Sequence, residues 1–309
     1  KLKSSVINKK KILVLMGGKS RERAISIQSG KACFNAIKKM GYKTYKLDPI
    51  NRIEKNIKKI NPDIIFNCLH GKYGEDGEVQ KIFEKLKIPY THSGVKSSQN
   101  AMDKIKSKKI FLINNIKTPR YKVIKKISDL DKNISKFKFI LKPINEGSSL
   151  GVEIFENISK LNMQKIKKLL KRYKVLIQEL FISGKEIQTA VIGNKAIGSV
   201  EIIPKRKFYD YKAKYLSSAK TVHRIPPKIS KKIHLKVMKT ALKAHKVLKC
   251  KGVSRSDFRV TKNGLIFILE TNTQPGMTKL SLVPEIALRY GLNFRNLVNW
   301  MIKDAGIKR

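Results

Sequence analysis

Val253-Ser254-Arg255-Ser256-Asp257-Phe258-Arg259-Val260, then Thr261 to Gly264, then Leu265-Ile266-Phe267-Ile268-Leu269-Glu270-Thr271-Asn272 is the stretch on which the reading of this 309-residue chain turns. Two apolar-rich runs flank Asn263-Gly264, the strongest short-range signal for a hairpin closed by a type I′ turn. With a two-residue turn, Lys262 faces Leu265, Asp257 faces Glu270 and Arg255 faces Asn272. Facing residues share a face and side chains alternate with period two, so Arg255, Asp257, Glu270 and Asn272 project from one side. Two opposed carboxylates at roughly 5 Å, in an effective dielectric of about 20, repel by roughly 3 kcal/mol. Arg255 offsets part of that. Asp, Glu and an Asn carbonyl converging on one point also make an oxygen-only set suited to magnesium shared with ligand phosphates. An exposed hairpin with ordinary surface charges, or a proton shared between the acids, fits the same pattern.

The length allows two or three domains with separate cores. Apolar content of 41% is that of a globular chain, and no apolar run approaches the ~20 residues of a membrane span. Lys1 to Ser5 lead into a lysine cluster without a signal-peptide h-region. Cys33, Cys68 and Cys250 are widely spaced, which predicts free thiols in a reducing compartment. Cytoplasm is the expected location. Lys and Arg number 69 against 22 Asp and Glu, a formal charge of +47. Such a surplus raises nucleic acid or an anionic membrane as partner. Here the excess is mostly lysine, spread along the chain beside abundant Ile and Asn, which A/T-rich codons also produce. No RNP-type aromatic motif or zinc-finger spacing accompanies it. Neither nucleic acid nor membrane is therefore expected as partner, though the charge would attract anionic substrates.

Upstream, Lys11–Met16 reads as a parallel strand ending at Gly17-Gly18, Ile25–Met40 as a helix, and Tyr42–Leu47 as a second strand. Ile53–Ile60 is helical, Pro62–Leu69 a third strand before His70-Gly71, Asp76–Leu86 a helix and Ile88–Tyr90 a short strand. Strands alternating with helices predict an open, mostly parallel sheet whose ligands lie at the strands' C-terminal ends. Glu22, just past the Gly-Gly turn, reads by itself as a first-turn helix acid, and its place also suits a ligand ammonium. There is no GxGxxG and no GxxxxGK[ST]. Met102–Ile113 is expected as one helix, and Phe137–Pro143 as a strand. After it, Asn145 to Gly151 is a small-residue loop, either a phosphate cover or a flexible turn. Val152–Phe155 and Val175–Phe181 are strands, and Glu186–Ile192 with Ala196–Ile203 a hairpin. Tyr209, Tyr211 and Tyr215 alternate with Lys212 and Lys214 as in an amphipathic edge strand. Ile229–Leu248, Leu280–Tyr290 and Asn293–Ala305 complete the chain as helices.

Seven segments in this order resemble the D-alanine–D-alanine ligase family of the ATP-grasp superfamily: GGKSRERAISIQSG (17–30), LHGKYGEDG (69–77), MDKIKSK (102–108), LKPINEGSSLGV (141–152), FYDYKAKYL (208–216), SRSDF (254–258) and LETNTQPGMTKLSLVP (269–284). The resemblance implies a three-domain α/β protein, α+β in its nucleotide-binding part. Residues 1–100 would form the N-terminal substrate-binding domain with its mostly parallel sheet. Residues 101–185 would form the central ATP-grasp domain, and 186–309 the C-terminal one, carrying a lid and the metal site. The implied reaction joins two D-alanines through an acyl phosphate, releasing ADP and phosphate, for peptidoglycan. A homodimer is the implied assembly.

By the same resemblance, Lys104 and Lys142 would contact ATP phosphates, with Gly147, Ser148 and Ser149 closing over them. Glu179, Leu180 and Phe181 would meet adenine, and Glu186 the ribose. Asp257, Glu270 and Asn272 would hold Mg2+ (or Mn2+), two ions per site. Glu22 would bind the first D-alanine's ammonium, linked through Ser148 to Tyr215, with His70 beside that substrate. Arg255 and the Gly276 N–H would stabilise the oxyanion, while Lys214, Ser281 and Leu282 receive the second substrate. Tyr215 at the lid's end favours D-alanine over D-lactate as that substrate. Ser254 and Ser256 depart from the family pattern, and Ser256 should point away from the metal face. Rival readings are another ATP-grasp carboxylate–amine ligase, one making D-alanyl-D-lactate or D-alanyl-D-serine, and a basic nucleic-acid-binding protein on the same scaffold.

Overall fold

Ile12, Leu13, Val14 and Leu15 are all fully buried, as a strand covered on both faces of a parallel sheet must be. They belong to Lys11–Leu15 (β1), the middle strand of a three-stranded sheet in a computed structural model that describes residues 10–204, 221–278 and 280–309. Lys43–Leu47 (β2) and Ile64–Asn67 (β3) flank it, both parallel to it. Arg23–Lys39 (α1) and Ile53–Ile60 (α2) make the crossovers, and Glu78–Lys85 (α3) follows β3. The expected strand at Ile88–Tyr90 reduces to isolated bridges from Tyr90 to Ile65 and Gly306.

The helix expected over Met102–Ile113 is present as Lys104–Ile113 (α5), and a helix that the sequence reading did not place, Val95–Met102 (α4), runs into it. Asp103 breaks them apart. Its backbone is extended and its carboxylate accepts from the N–H groups of Ile105 and Lys106, an N-cap that restarts the helix.

Two antiparallel sheets follow. Tyr121–Ile124 (β4), Phe139–Pro143 (β5), Glu153–Phe155 (β6) and Leu176–Leu180 (β7) form one, in the order β4-β7-β5-β6. The short Lys132–Ser135 (α6) and the longer Lys160–Tyr173 (α7) lie within this segment. The other sheet holds Lys185–Ile192 (β8), Lys195–Ile203 (β9), Val222–Arg224 (β10), Val253–Val260 (β11) and Ile266–Asn272 (β12), in the order β10-β9-β8-β11-β12. Lys231–Val247 (α8) covers it, and Leu282–Arg289 (α9) and Phe294–Asp304 (α10) end the fold.

Hydrophobic clusters tie these sheets together across long sequence distances. Val14 and Phe66 share one core with Val200, Ile286, Leu297 and Met301, so α9 and α10 wedge between the first sheet and the five-stranded one. Tyr42 donates to Asn299 Oδ1 at 3.2 Å across that junction. A second core joins Ala101 and Phe111 to Ile187, Val237, Phe258 and Ile268, which fastens α4 and α5 to the five-stranded sheet.

The β11–β12 hairpin departs from expectation in two compensating ways. Its turn is not a two-residue type I′. Thr261 N–H donates to Leu265 O at 3.0 Å, Gly264 N–H donates to Thr261 O at 3.0 Å, and Gly264 has φ +80°. That is a three-residue loop ending in a left-handed residue. The Thr261 hydroxyl, accepting from Leu265 N–H at 2.9 Å, favours the longer loop. Val260 consequently faces Ile266 rather than Phe267. A bulge at Leu269 then takes up the extra residue, so that Asp257 faces Glu270 and Arg255 faces Asn272, as the sequence predicts. The expected pairing holds.

Gly30 permits the close approach of α1 to β1: a Cβ there would lie 2.3 Å from Met16 Cβ. Helix propensity alone makes Gly30→Ala stabilising by about 1 kcal/mol, whereas overpacking costs about 1–3 kcal/mol. The clash wins, and thermal denaturation of Gly30→Ala should show a lowered midpoint. A raised midpoint would contradict the packing.

Candidate active site

The face that β11 and β12 share carries Arg255, Asp257, Glu270 and Asn272. Arg255 donates from Nε to Asp257 Oδ1 at 2.8 Å and from an NH2 group to Oδ2 at 3.1 Å. Glu270 lies 3.7 Å from Lys104 Nζ, which also donates to Glu146 O at 2.6 Å. Asn272 Oδ1 accepts from Gln274 N–H at 2.7 Å and keeps a second lone pair. Ser256 points the other way, its hydroxyl 2.9 Å from that of Thr271. Ser254 likewise packs behind, 2.7 Å from His245 Nδ1.

Among the described residues no group of three or more His, Cys, Asp and Glu side chains clusters as metal ligands. A divalent cation here would rest on two carboxylates, the Asn272 carbonyl and oxygens of a bound ligand. That donor set fits magnesium or manganese shared with phosphates.

On this face, the four- and five-stranded sheets enclose a cleft of about 760 Å³. Lys104, Lys142, Ser149, Glu179, Leu180, Phe181 and Glu186 all line it, together with Asp257 and Glu270. Glu179, on β7, is buried and lies 2.9 Å from Lys142 Nζ. Its second cation is Lys108, at 2.6 Å and fully buried, which also donates to Thr118 Oγ1 at 2.6 Å. Burial alone would raise the Glu179 carboxyl, but the two ammoniums outweigh it and hold it below the usual range. Burial pushes Lys108 down to about 8 against the pull of Glu179. Sequence reading missed Lys108, although one signal was present: it follows Lys104 by one helical turn on α5. At the mouth, Arg259 pairs with Glu186 at 3.0 Å and stands over the Phe181 ring.

A second cleft, about 940 Å³, opens on the other side of Lys104 and Glu270, which line both. Glu22, His70, Gly147, Ser148, Arg255, Gly276, Ser281 and Leu282 meet here. Glu22 is the N-cap residue of α1, yet its side chain makes no cap bond. Instead it turns into the cleft and accepts a hydrogen bond from Ser148. The loop presenting Ser148 runs through left-handed backbone at Ser148 and Ser149 (φ 48° and 60°). Such backbone costs on the order of 1–3 kcal/mol per residue and is typical of ligand clamps. The Asn145 to Gly151 loop and Glu22 are thus joined, 126 positions apart in the chain.

His70 is buried, and burial lowers it to about 4, with Arg255 adding to the effect. A neutral imidazole therefore stands in the cleft, 3.3 Å from Ser29 Oγ, which in turn accepts from Met277 N–H at 3.1 Å. This chain ties the Gly276 loop to α1. Gly276 is closely backed by Ser281: a Cβ on it would lie 2.7 Å from Ser281 Oγ. Ser281 and Leu282 stand at the start of α9. Glu75 also lines this cleft, a residue within the LHGKYGEDG segment that sequence reading did not single out. Tyr215 and Lys214, and with them the expected lid, lie outside the described residues.

Residues 113–303 match the family described as D-ala D-ala ligase C-terminus, and residues 43–93 the one described as D-ala D-ala ligase N-terminus. The chain is 51% identical over 307 residues to the D-alanine–D-alanine ligase of Pelagibacter ubique (strain HTCC1062), covering 97% of this chain and 99% of that one. Its structure resembles the Bacillus anthracis D-alanine–D-alanine ligase complexed with ATP (TM-score 0.83, 29% identity, 96% of this chain and 97% of that one). It also resembles the VanG D-Ala:D-Ser ligase of Enterococcus faecalis (TM-score 0.82, 26% identity, 96% and 99% covered). Two family matches in chain order, a relative identical at half its positions over nearly its whole length, and a shared architecture agree with the geometry of the clefts: the chain belongs to the D-alanine–D-alanine ligase family.

Proposed function

We propose that this protein joins two molecules of D-alanine into D-alanyl-D-alanine at the cost of one ATP, as a cytoplasmic enzyme supplying peptidoglycan synthesis. One observation carries the reading. A cleft lined by Glu22, His70, Arg255 and Ser281 adjoins, across a wall formed by Lys104 and Glu270, a cleft with Lys142, Glu179 and Glu186. Carboxylate and nucleotide phosphate thus have a common boundary at which to react.

The roles follow from chemistry at each wall. ATP lies between the two antiparallel sheets, its base toward Glu179, Leu180 and Phe181 and its ribose toward Glu186. Glu179 is held ionised by Lys108 and Lys142, so it accepts a hydrogen bond from an amine rather than donating one. Lys104 and Lys142 lie against the phosphates, and Gly147, Ser148 and Ser149 cover them. Asp257, Glu270 and Asn272 hold the Mg2+ or Mn2+ ions, which when bound neutralise charge on the transferring phosphoryl group. Glu22 receives the first D-alanine's ammonium, and neutral His70 adds no competing charge beside it.

With its carboxylate at the shared wall, the first D-alanine takes the phosphoryl group and becomes an acyl phosphate, whose phosphate is a good leaving group. The second D-alanine, received by Lys214, Ser281 and Leu282, attacks through its amine. Arg255 and the Gly276 N–H stabilise the oxyanion of the tetrahedral intermediate. Tyr215 and the lid exclude water from the acyl phosphate. A homodimer and the division into domains at 1–100, 101–185 and 186–309 complete the proposed reading.

Phosphate release dependent on D-alanine tests the function directly. D-Alanine alone should support it and yield the dipeptide. Product formed only when D-serine or D-lactate is added would reassign the second substrate. No amino-acid-dependent release at all would return the chain to the rival of a basic binding protein. Glu270→Gln should nearly abolish turnover and weaken Mg-ATP binding while circular dichroism stays native. Full activity would contradict the metal assignment. Glu22→Gln should chiefly raise KM for D-alanine, and a normal KM would count against its ammonium role.

A further inference from the structure

Glu75 has no part in the steps above, yet it is buried in the amino-acid cleft close to Glu22. Its Oε1 accepts from Gly71 N–H at 3.0 Å. A Cβ built on Gly147 would lie 3.1 Å from Glu22 Oε2 and 3.5 Å from Glu75 Oε1. Both acids therefore converge on the same point, beside a glycine that leaves it open. Gly71 contributes likewise, since a Cβ there would lie 2.7 Å from Glu22 Oε2. Among the described residues Glu75 has no ion-pair partner.

The charges around it do not balance two carboxylates. Glu22 from the start of α1 and Glu270 from β12 both disfavour ionisation of Glu75, and Arg255 from β11 favours it. Lys104 and Glu146 line the same cleft with opposite signs, and His70 is neutral. Burial first, and then Glu22, push the Glu75 carboxyl up to about 8. Near neutral pH the Glu22–Glu75 pair is one carboxylate and one carboxylic acid.

We propose that Glu75 is a second carboxylate of the amino-acid ammonium site, carrying a proton in the ligand-free enzyme that passes to solvent when a substrate ammonium settles between it and Glu22. The carboxyl O–H bond breaks, the ammonium keeps its three hydrogens, and no covalent bond forms. An ammonium between two carboxylates is held more tightly than by one, whereas a neutral amine or alcohol leaves the acid protonated. The inference rests on the function proposed above.

Calorimetric titration of D-alanine into the enzyme saturated with magnesium and a non-hydrolysable ATP analogue, in two buffers of different ionisation enthalpy, counts the protons released. At pH 7 the wild type should release close to one more proton than Glu75→Gln. The difference should vanish as pH rises through the raised carboxyl range, where Glu75 is already ionised. Glu75→Gln should also bind D-alanine roughly tenfold more weakly, with affinity for the ATP analogue unchanged. Equal proton counts in wild type and Glu75→Gln at pH 7 would overturn the inference while leaving the function intact. Failure of the wild type to bind D-alanine would overturn both. If Glu75→Gln does not bind the nucleotide analogue, Glu75→Asp decides. Proton release retained with its pH dependence displaced supports the role, and wild-type release at an unmoved pH overturns it.

Discussion

Two carboxylates facing each other across antiparallel strands, Asp257 and Glu270, are the constraint around which the rest is arranged. Left alone they cost roughly 3 kcal/mol at about 5 Å in a medium of effective dielectric about 20. The fold answers with cations from two directions, Arg255 from the same strand and Lys104 from the start of α5. A bulge at Leu269 keeps the two acids opposed although the turn is one residue longer than the pairing by itself requires. It also brings Leu269 and Glu270 together into the cleft between the two antiparallel sheets.

The same logic of charge held in reserve recurs through the site. Glu179 is buried between Lys108 and Lys142, a set that would be costly to break, since removing one member leaves an uncompensated buried charge. Glu22 is held by Ser148, whose left-handed backbone turns the Asn145 to Gly151 loop toward it. His70 is kept neutral by burial. The two clefts thus share Lys104 and Glu270 in one wall, while Glu22 and Glu75 converge in the second cleft.

Local signals read well from the residues alone. The bounds of α2 match the apolar spacing, and β1 follows from an uninterrupted aliphatic run. Elements whose burial is not apolar were lost. Helix α4 buries Ser97 and Ser98, so no hydrophobic periodicity marks it, and its break from α5 depends on the Asp103 cap. Strand β4 is four residues at a sheet edge with only Ile124 buried. In the site, Lys108 looked like another lysine among many, because its partner Glu179 lies far along the chain.

By itself the sequence determined the strand and helix periods, the alternation that places acids on one face of a hairpin, and the order of motifs that marks the family, because these are properties of neighbours along the chain. The tertiary structure decided which charges meet. Only the packing of α5 against the five-stranded sheet sets Lys104 against Glu270 and buries Lys108 beside Glu179. Only the approach of the Gly147 loop to the start of α1 joins Ser148 to Glu22 and brings Glu75 to the same point. Desolvation and Coulomb energies depend on distances through space, and those distances exist only once the sheets have been wedged together.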